Sequence, residues 1–184
     1  MRVIAGAWKG RRLRTPSWEG LRPTSDKLRE TLFNVVAARV PGARVLDGYA
    51  GTGAVGIEAL SRGAAHVTFV ERDRRAIRLI EENLALCRAN EESPRRYTVR
   101  SGDVAGWLAS APETLTLVFL DPPYADTHLS DALLQVRPAM APESLLVFEH
   151  AARTPVVAPA GWRVARTLAS GDSMLTFLQP LDTP

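Results

Sequence analysis

Two stretches of the 184-residue chain carry residue types that could do chemistry. The first, Val45–Gly56, reads Val-Leu-Asp-Gly-Tyr-Ala-Gly-Thr-Gly-Ala-Val-Gly and places Gly51, Gly53 and Gly56 at G-x-G-x-x-G spacing. Such glycines allow a tight turn and close backbone approach, and the helix that follows offers unpaired N–H groups to a ligand. The second is Asp121-Pro122-Pro123-Tyr124. Its prolines fix the backbone and donate no hydrogen bond, so the loop turns acceptors outward: the Asp121 carboxylate and the Pro122 carbonyl. Tyr124 adds a flat face on which a base could stack, worth about 1–3 kcal/mol.

A hook of this kind suits an exocyclic amino group conjugated to a ring. The lone pair of such an amine is delocalised, and acceptors on both N–H bonds favour its pyramidalisation and localise it toward a methyl donor. Placement in line with that donor can lower a barrier by roughly 7–11 kcal/mol, so no covalent nucleophile is needed. Cys87, inside a helical pattern, reads as core.

The glycine stretch alone does not separate a dinucleotide from S-adenosylmethionine. Asp47 helps, because a carboxylate just ahead of the glycines would repel a pyrophosphate and suit an ammonium and a sulfonium. Glu71, about 20 residues past the first glycine, stands where an acid can hold both hydroxyls of a ribose. Asp103 could accept from an adenine amine, and it equally reads as the N-cap of the next helix. The cofactor set is therefore Asp47, Tyr49, Ala50, Gly51, Thr52, Gly53, Glu71, Arg72, Asp103 and Val104.

The elements that must position these residues alternate. Short apolar strands are predicted at Arg44–Asp47, His66–Glu71, Tyr97–Ser101, Leu115–Leu120 and Leu145–His150. Helices are predicted between them at Gly53–Arg62, Arg74–Asn90, Val104–Ser110 and Thr127–Arg137. That alternation implies an α/β fold with a parallel sheet covered on both faces. The tail breaks it: Trp162–Ala169 and Met174–Gln179, joined at Ser170-Gly171-Asp172-Ser173, form a hairpin, so one strand must run antiparallel. The expectation is a Rossmann-like sheet of seven strands, mostly parallel, over residues 41–184. Residues 1–40 form an extension packed on it: a short hairpin over residues 1–14, then a helix capped by Thr24 or Ser25, with Leu28, Leu32, Val35 and Val36 on one face and Pro41-Gly42 ending it.

Composition bounds the rest. Hydrophobic residues make up 46% and charged residues 23%, ordinary for a soluble domain. No apolar run reaches the roughly 20 residues that span a bilayer. The start lacks the apolar core of a signal peptide, and one cysteine fits a reducing cytosol, so a cytoplasmic protein is expected. His66, His128 and His150 are too scattered to ligate a metal with Cys87, so no metal is expected. The net charge of +3 is uneven: residues 1–39 carry nine Lys/Arg against three Asp/Glu, and the remainder fourteen against seventeen. A basic arm on a mildly acidic body points to an anionic partner, nucleic acid first, or else to a solvated face.

Asp47-Gly48-Tyr49-Ala50-Gly51-Thr52-Gly53 resembles the first motif of class I S-adenosylmethionine-dependent methyltransferases, and Asp121-Pro122-Pro123-Tyr124 the catalytic motif of their amino-directed branch. Nearly end to end, the chain is similar to the RsmD-type family, bacterial 16S ribosomal RNA guanine-N2 methyltransferases. Arg2-Val3-Ile4-Ala5-Gly6, Gly10-Arg11-Arg12-Leu13, the run Arg22–Asn34, the run Gly56–Ala64 and Glu149-His150 carry the likeness. The resemblance implies a monomer that methylates one guanine N2 in 16S rRNA of the small ribosomal subunit, leaving S-adenosylhomocysteine. It implies that Lys9, Arg11, Arg12 and Arg22 contact RNA backbone, and that Thr24, Arg29 and Asn34 lie near the cofactor's methionine end or the target base. Two departures bear on local packing and RNA fit: Gly48 replaces a larger residue, and Ser170 stands where an aromatic often precedes Gly-Asp.

Three other readings share parts of this pattern. A DNA adenine-N6 or cytosine-N4 methyltransferase uses the same hook, but usually carries a separate target-recognition region. An NAD(P)-dependent oxidoreductase shares the glycines, against which stand Asp47 and Asp121. A silent RNA-binding assembly factor would have no use for the hook.

Overall fold

A computed structural model describes residues 1–19, 24–89, 96–109, 114–122, 135–153 and 156–181. Its strands are β1 (Arg44–Gly48), β2 (His66–Glu71), β3 (Tyr97–Ser101), β4 (Leu115–Leu120), β5 (Met140–Ala151), β6 (Trp162–Ser170) and β7 (Ser173–Pro180). Its helices are α1 (Asp26–Val36), α2 (Ala54–Ser61), α3 (Arg74–Leu86) and α4 (Val104–Leu108). They build a seven-stranded sheet in the order β3-β2-β1-β4-β5-β7-β6. The first five are parallel, whereas β7 runs antiparallel to both β5 and β6. This is the expected Rossmann-like α/β sheet with a terminal antiparallel hairpin.

The strand order reverses between β1 and β4, the switch point outside whose carboxyl ends open α/β sheets bind ligands. The two chemical stretches follow those two strands. Both faces of the sheet are buried, so strands read as near-continuous apolar runs whose alternate residues enter opposite cores. Val45, Leu117, Phe119, Leu145, Val147, Leu175 and Phe177 enter one core with α1, α2 and the N-terminal arm. Leu46, Val118, Leu120, Leu146, Phe148 and Leu178 enter the other with α4 and Trp162.

The N-terminal arm is bound to the body by polar contacts. Glu58 of α2 is fully buried and accepts from the Ile4 and Ala5 amides at 2.7 and 2.9 Å. Ser61 bridges the Ala5 carbonyl and the Trp8 amide. Val3, Trp8 and Leu13 are buried in the same core as α1 and α2. The expected N-terminal hairpin shrinks to one antiparallel bridge, Arg2 with Arg12, flanked by the Val3–Arg11 and Leu13–Met1 backbone bonds.

Ser25 caps α1 by accepting the Leu28 amide at 3.1 Å, with Asp26 favourable in the first turn. Three boundaries differ from expectation. Helix α3 stops at Leu86 instead of Asn90, because Arg88 takes a positive φ of 54°, an ending that no glycine or asparagine announces. Strand β5 begins five residues early, at Met140, across a register shift opposite Leu115/Leu117 that accommodates Pro142. The helix expected over Thr127–Arg137 lies outside the described residues as far as 134, and Arg137 opens a short 3-10 turn, Arg137–Ala139. No helix among the described residues is long and apolar enough to cross a membrane.

Candidate active site

The glycine turn is built for close packing as much as for a ligand. Gly53 caps α2 with φ 74°, and Tyr49, without being glycine, sits at φ 60°. A Cβ on Gly56 would meet the Phe69 ring at 2.3 Å, so only glycine lets α2 lie this close to β2. Gly53 has no side chain to cap the helix, and Asp47 does so from a distance: its Oδ2 accepts the Gly56 amide at 2.8 Å. From the tip of β2, Glu71 accepts the Gly51 amide at 2.9 Å and those of Arg72 and Asp73 at 2.8 and 2.9 Å. Both acids thus hold the turn in shape.

The second stretch meets the first directly, since the Asp121 amide approaches the Gly48 carbonyl at 3.5 Å. Together they open on a cavity of about 590 Å³, the size of a small-molecule site. Asp47, Tyr49, Ala50, Gly51 and Thr52 line it on one side, and Asp121 with Pro122 on another. Leu28 and Leu32 of α1 roof it, with Thr24 and Lys27 at that helix's start. The β6–β7 turn, Ser170–Ser173, lines it as well. Pro123 and Tyr124 of the hook lie outside the described residues, as does Arg22.

Acid dominates the lining among the described residues: Asp47, Asp121, Glu149 and Asp172 face one cation, Lys27. Burial pushes the Asp47 carboxyl up to about 7, opposed by the Gly56 hydrogen bond and helped by the Glu71 charge. Burial likewise holds Asp121 well above the usual carboxylate range, with the charges of Glu149 and Asp47 adding to it. A cavity that strains to protonate its own carboxylates is complementary to a cation. The donor set therefore fits the ammonium and sulfonium that the sequence points to, and does not fit a pyrophosphate.

Other expected residues stand apart from the cavity. Gly53, Glu71, Arg72, Asp103 and Val104 are not on its wall. Asp103 serves as the N-cap of α4, accepting the Gly106 amide at 2.7 Å, and Val104 is buried in the core.

The RNA set divides. Lys9, Arg12 and Asn34 are exposed. Arg29 is fully buried, with Nη1 3.4 Å from the carbonyl of Ala54, a residue of the cavity wall. Its guanidinium donates to Asp26 and to the Arg2 carbonyl, both at 2.7 Å, and lies 3.8 Å from Glu58. Arg11 is half-committed too, its guanidinium donating to the Cys87 carbonyl at the end of α3.

Glu149 and the β6–β7 turn enter the site without having been singled out for it by spacing. A signal for Glu149 was present. Four of the five parallel strands carry an apolar residue followed by an acid at their carboxyl ends: Leu46-Asp47, Val70-Glu71, Leu120-Asp121, Phe148-Glu149. Of the two sequence departures, Gly48 has Leu120 Cδ2 where its own Cβ would be, 2.6 Å away, so that side chain occupies the space. Ser170 lies on the cavity wall.

Comparison with known proteins agrees with this architecture. A family model described as conserved hypothetical protein 95 matches residues 1–179. The ribosomal RNA small subunit methyltransferase D of Escherichia coli K12 is 38% identical over 175 residues, which are 93% of this chain and 85% of that one. Its namesake in Haemophilus influenzae is 35% identical over 93% and 89%. The solved yhhF structure from Escherichia coli superposes with a TM-score of 0.84 at 35% identity, covering 98% of this chain and 97% of that one. The rRNA methyltransferase aviRa of Streptomyces viridochromogenes, at 16% identity and TM-score 0.70 over 89% and 88%, shares the fold. With nearly its whole length matched in sequence and in shape, the chain belongs to the RsmD family, that of the ribosomal RNA small subunit methyltransferase D proteins.

Proposed function

We propose that this protein transfers a methyl group from S-adenosylmethionine to the exocyclic N2 amine of a guanine in 16S ribosomal RNA. The observation that carries the reading is one acidic cavity at the switch point, lined by both the glycine turn and the Asp121-Pro122 hook. The names of its relatives supply the RNA class.

When bound, the cofactor supplies an electrophilic methyl on a sulfonium. Asp47 would face its ammonium, the Tyr49–Thr52 backbone would seat its body, and Glu71 at the tip of β2 would serve its ribose. The chain's own part is orientation. The Asp121 carboxylate accepts one N–H of the amine and the Pro122 carbonyl the other, which localises the nitrogen lone pair. The Asp121 carboxyl is also suited to take the proton the amine sheds, because burial and the neighbouring acids raise its proton affinity. Leu28 and Leu32 exclude water from above, which strengthens these electrostatic contacts. Lys9 and Arg12, exposed on the arm, would engage phosphates.

The test is tritiated-methyl transfer from S-adenosylmethionine to undermethylated small ribosomal subunits, naked 16S RNA and duplex DNA, followed by nucleoside digestion. Label in N2-methylguanosine from the subunit or its RNA is the expected result. Label in methyladenine or methylcytosine of DNA would overturn the acceptor, and label nowhere would overturn the activity.

A further inference from the structure

The hook explains why an exocyclic amine reacts but not why guanine should be chosen. Adenine and cytosine also carry exocyclic amines, and acceptors on two N–H bonds serve all three. The bases differ at the neighbouring ring nitrogen. Guanine presents a donor there, N1–H, whereas adenine N1 and cytosine N3 are acceptors. A flipped or single-stranded base is read on this Watson–Crick edge. A site selective for guanine therefore needs a second acceptor beside the hook.

The structure has such a group. Strands β4 and β5 are parallel neighbours with Leu120 opposite Phe148, so the next rung sets Asp121 beside Glu149. Adjacent strands lie about 4.8 Å apart. Phe119 and Val147, two residues earlier, share the core beneath α1, and period-two alternation carries Asp121 and Glu149 to that same side. Both line the cavity under Leu28 and Leu32. The backbone at Glu149 is held from its other side by β7, where it pairs with Leu175. The adjoining His150 is buried, with Nε2 2.8 Å from Thr176 Oγ1 and its ring stacked on Phe148 at 5.3 Å. Glu149 thus stands on a rigid element, not on a loop.

We infer that Glu149 reads guanine, accepting N1–H of the base whose N2 amine is held by Asp121 and Pro122. This rests on the function proposed above and deepens it. Guanine satisfies Glu149 with a donor. Adenine, cytosine or 2-aminopurine would set a ring-nitrogen lone pair against the carboxylate, leaving two acceptors facing each other out of water. Sites built around such a hydrogen bond reject an analogue that lacks it by as much as about 10⁴-fold. After burial itself, the Glu149 charge contributes to holding the Asp121 carboxyl above the usual carboxylate range, as expected of two acids facing one space.

The experiment compares wild type, Glu149→Met and Glu149→Gln on small subunits carrying either the native target guanine or 2-aminopurine at that position, introduced by RNA ligation. 2-Aminopurine keeps the N2 amine and replaces N1–H by an acceptor. Glu149→Met should lower kcat/KM on guanine on the order of 100-fold and leave 2-aminopurine unchanged or improved, so that the preference collapses. Glu149→Gln, which keeps a carbonyl acceptor, should retain part of it. Thermal melting and S-adenosylmethionine affinity, both expected near wild type, exclude a folding or cofactor effect. An unchanged guanine to 2-aminopurine ratio in Glu149→Met would overturn the inference while the wild-type N2-methylguanosine product leaves the proposed function standing. A wild-type product on a different amine would overturn both.

Discussion

The Oδ2 of Asp47 lies 2.8 Å from the Gly56 amide, so the carboxylate ahead of the glycine turn also caps the helix behind it. The buried charge is costly. Asp47 is 4% exposed and its pKa is raised from 3.8 to about 7. A carboxyl raised on folding contributes stability that is whole below its unfolded pKa and is lost as pH climbs through the folded one. Three units amount to on the order of 4 kcal/mol. Asp47→Asn keeps an oxygen for the Gly56 amide and removes the charge. It should stabilise the ligand-free protein at pH 8 by on the order of 1–4 kcal/mol, with the gain shrinking toward pH 4. Urea unfolding at both pH values measures it, and calorimetry should show weaker S-adenosylmethionine binding. A pH-independent difference would refute the assignment.

Asp121 sits where loss of one acceptor should cost chemistry and not binding. Asp121→Ala should reduce kcat by on the order of 10²–10⁴, with S-adenosylmethionine affinity within a few-fold of wild type. In the wild type, kcat should rise with pH above the ordinary carboxylate range. The direction follows from the raised pKa of Asp121, because only the ionised form can take the proton the amine sheds. Single-turnover methylation across pH checks both statements.

The sheet was legible because burial on two faces writes itself as short apolar runs. His66–Glu71, Tyr97–Ser101 and Leu115–Leu120 are observed at their expected bounds. Asp47 and Asp121 were legible for a related reason, as charges closing runs that are otherwise apolar. What stayed hidden depends on distant pairing. Spacing offers Arg29 only Asp26, three residues away on its own helix, whereas the partners that draw it inward, Glu58, the Arg2 carbonyl and the Ala54 carbonyl, come from other elements. Nor does spacing say that residues 170–173 line the same cavity as residue 47, a matter of sheet order.

Arg11 and Arg12 are adjacent in sequence and should behave differently. Arg11 donates to the Cys87 carbonyl, whereas Arg12 and Lys9 are exposed. Neutralising Lys9 or Arg12 should reduce the slope of log K against log salt for RNA binding by roughly one each, without changing the melting temperature. Arg11→Gln should leave more of the slope and cost stability, about 1 kcal/mol for a charged hydrogen bond at the end of α3. Filter binding from low to high salt, paired with melting curves, separates the two. Equal slope losses in Arg11→Gln and Arg12→Gln would return Arg11 to the RNA.

Glu58 gathers four groups from two elements and the arm: the Ile4 and Ala5 amides, Arg62 at 2.8 Å and Arg29 at 3.8 Å. Removing one partner of a buried ion pair leaves the other charge without compensation and typically costs 3–5 kcal/mol. Glu58→Ala should therefore destabilise the protein by about that amount, a fall in Tm of roughly 6–20 °C for a chain of this size. Its functional effect should exceed its effect on S-adenosylmethionine. The arm and α1 hang on this residue, and α1 carries Leu28 and Leu32 over the cavity. Proteolysis below the melting transition should cut the variant first within residues 1–19, and methyl transfer should fall before cofactor binding does. Glu58→Gln, which still accepts but carries no charge, should lie between. If Glu58→Ala melts as wild type does and keeps its arm protected, the buried network is not what holds the roof in place.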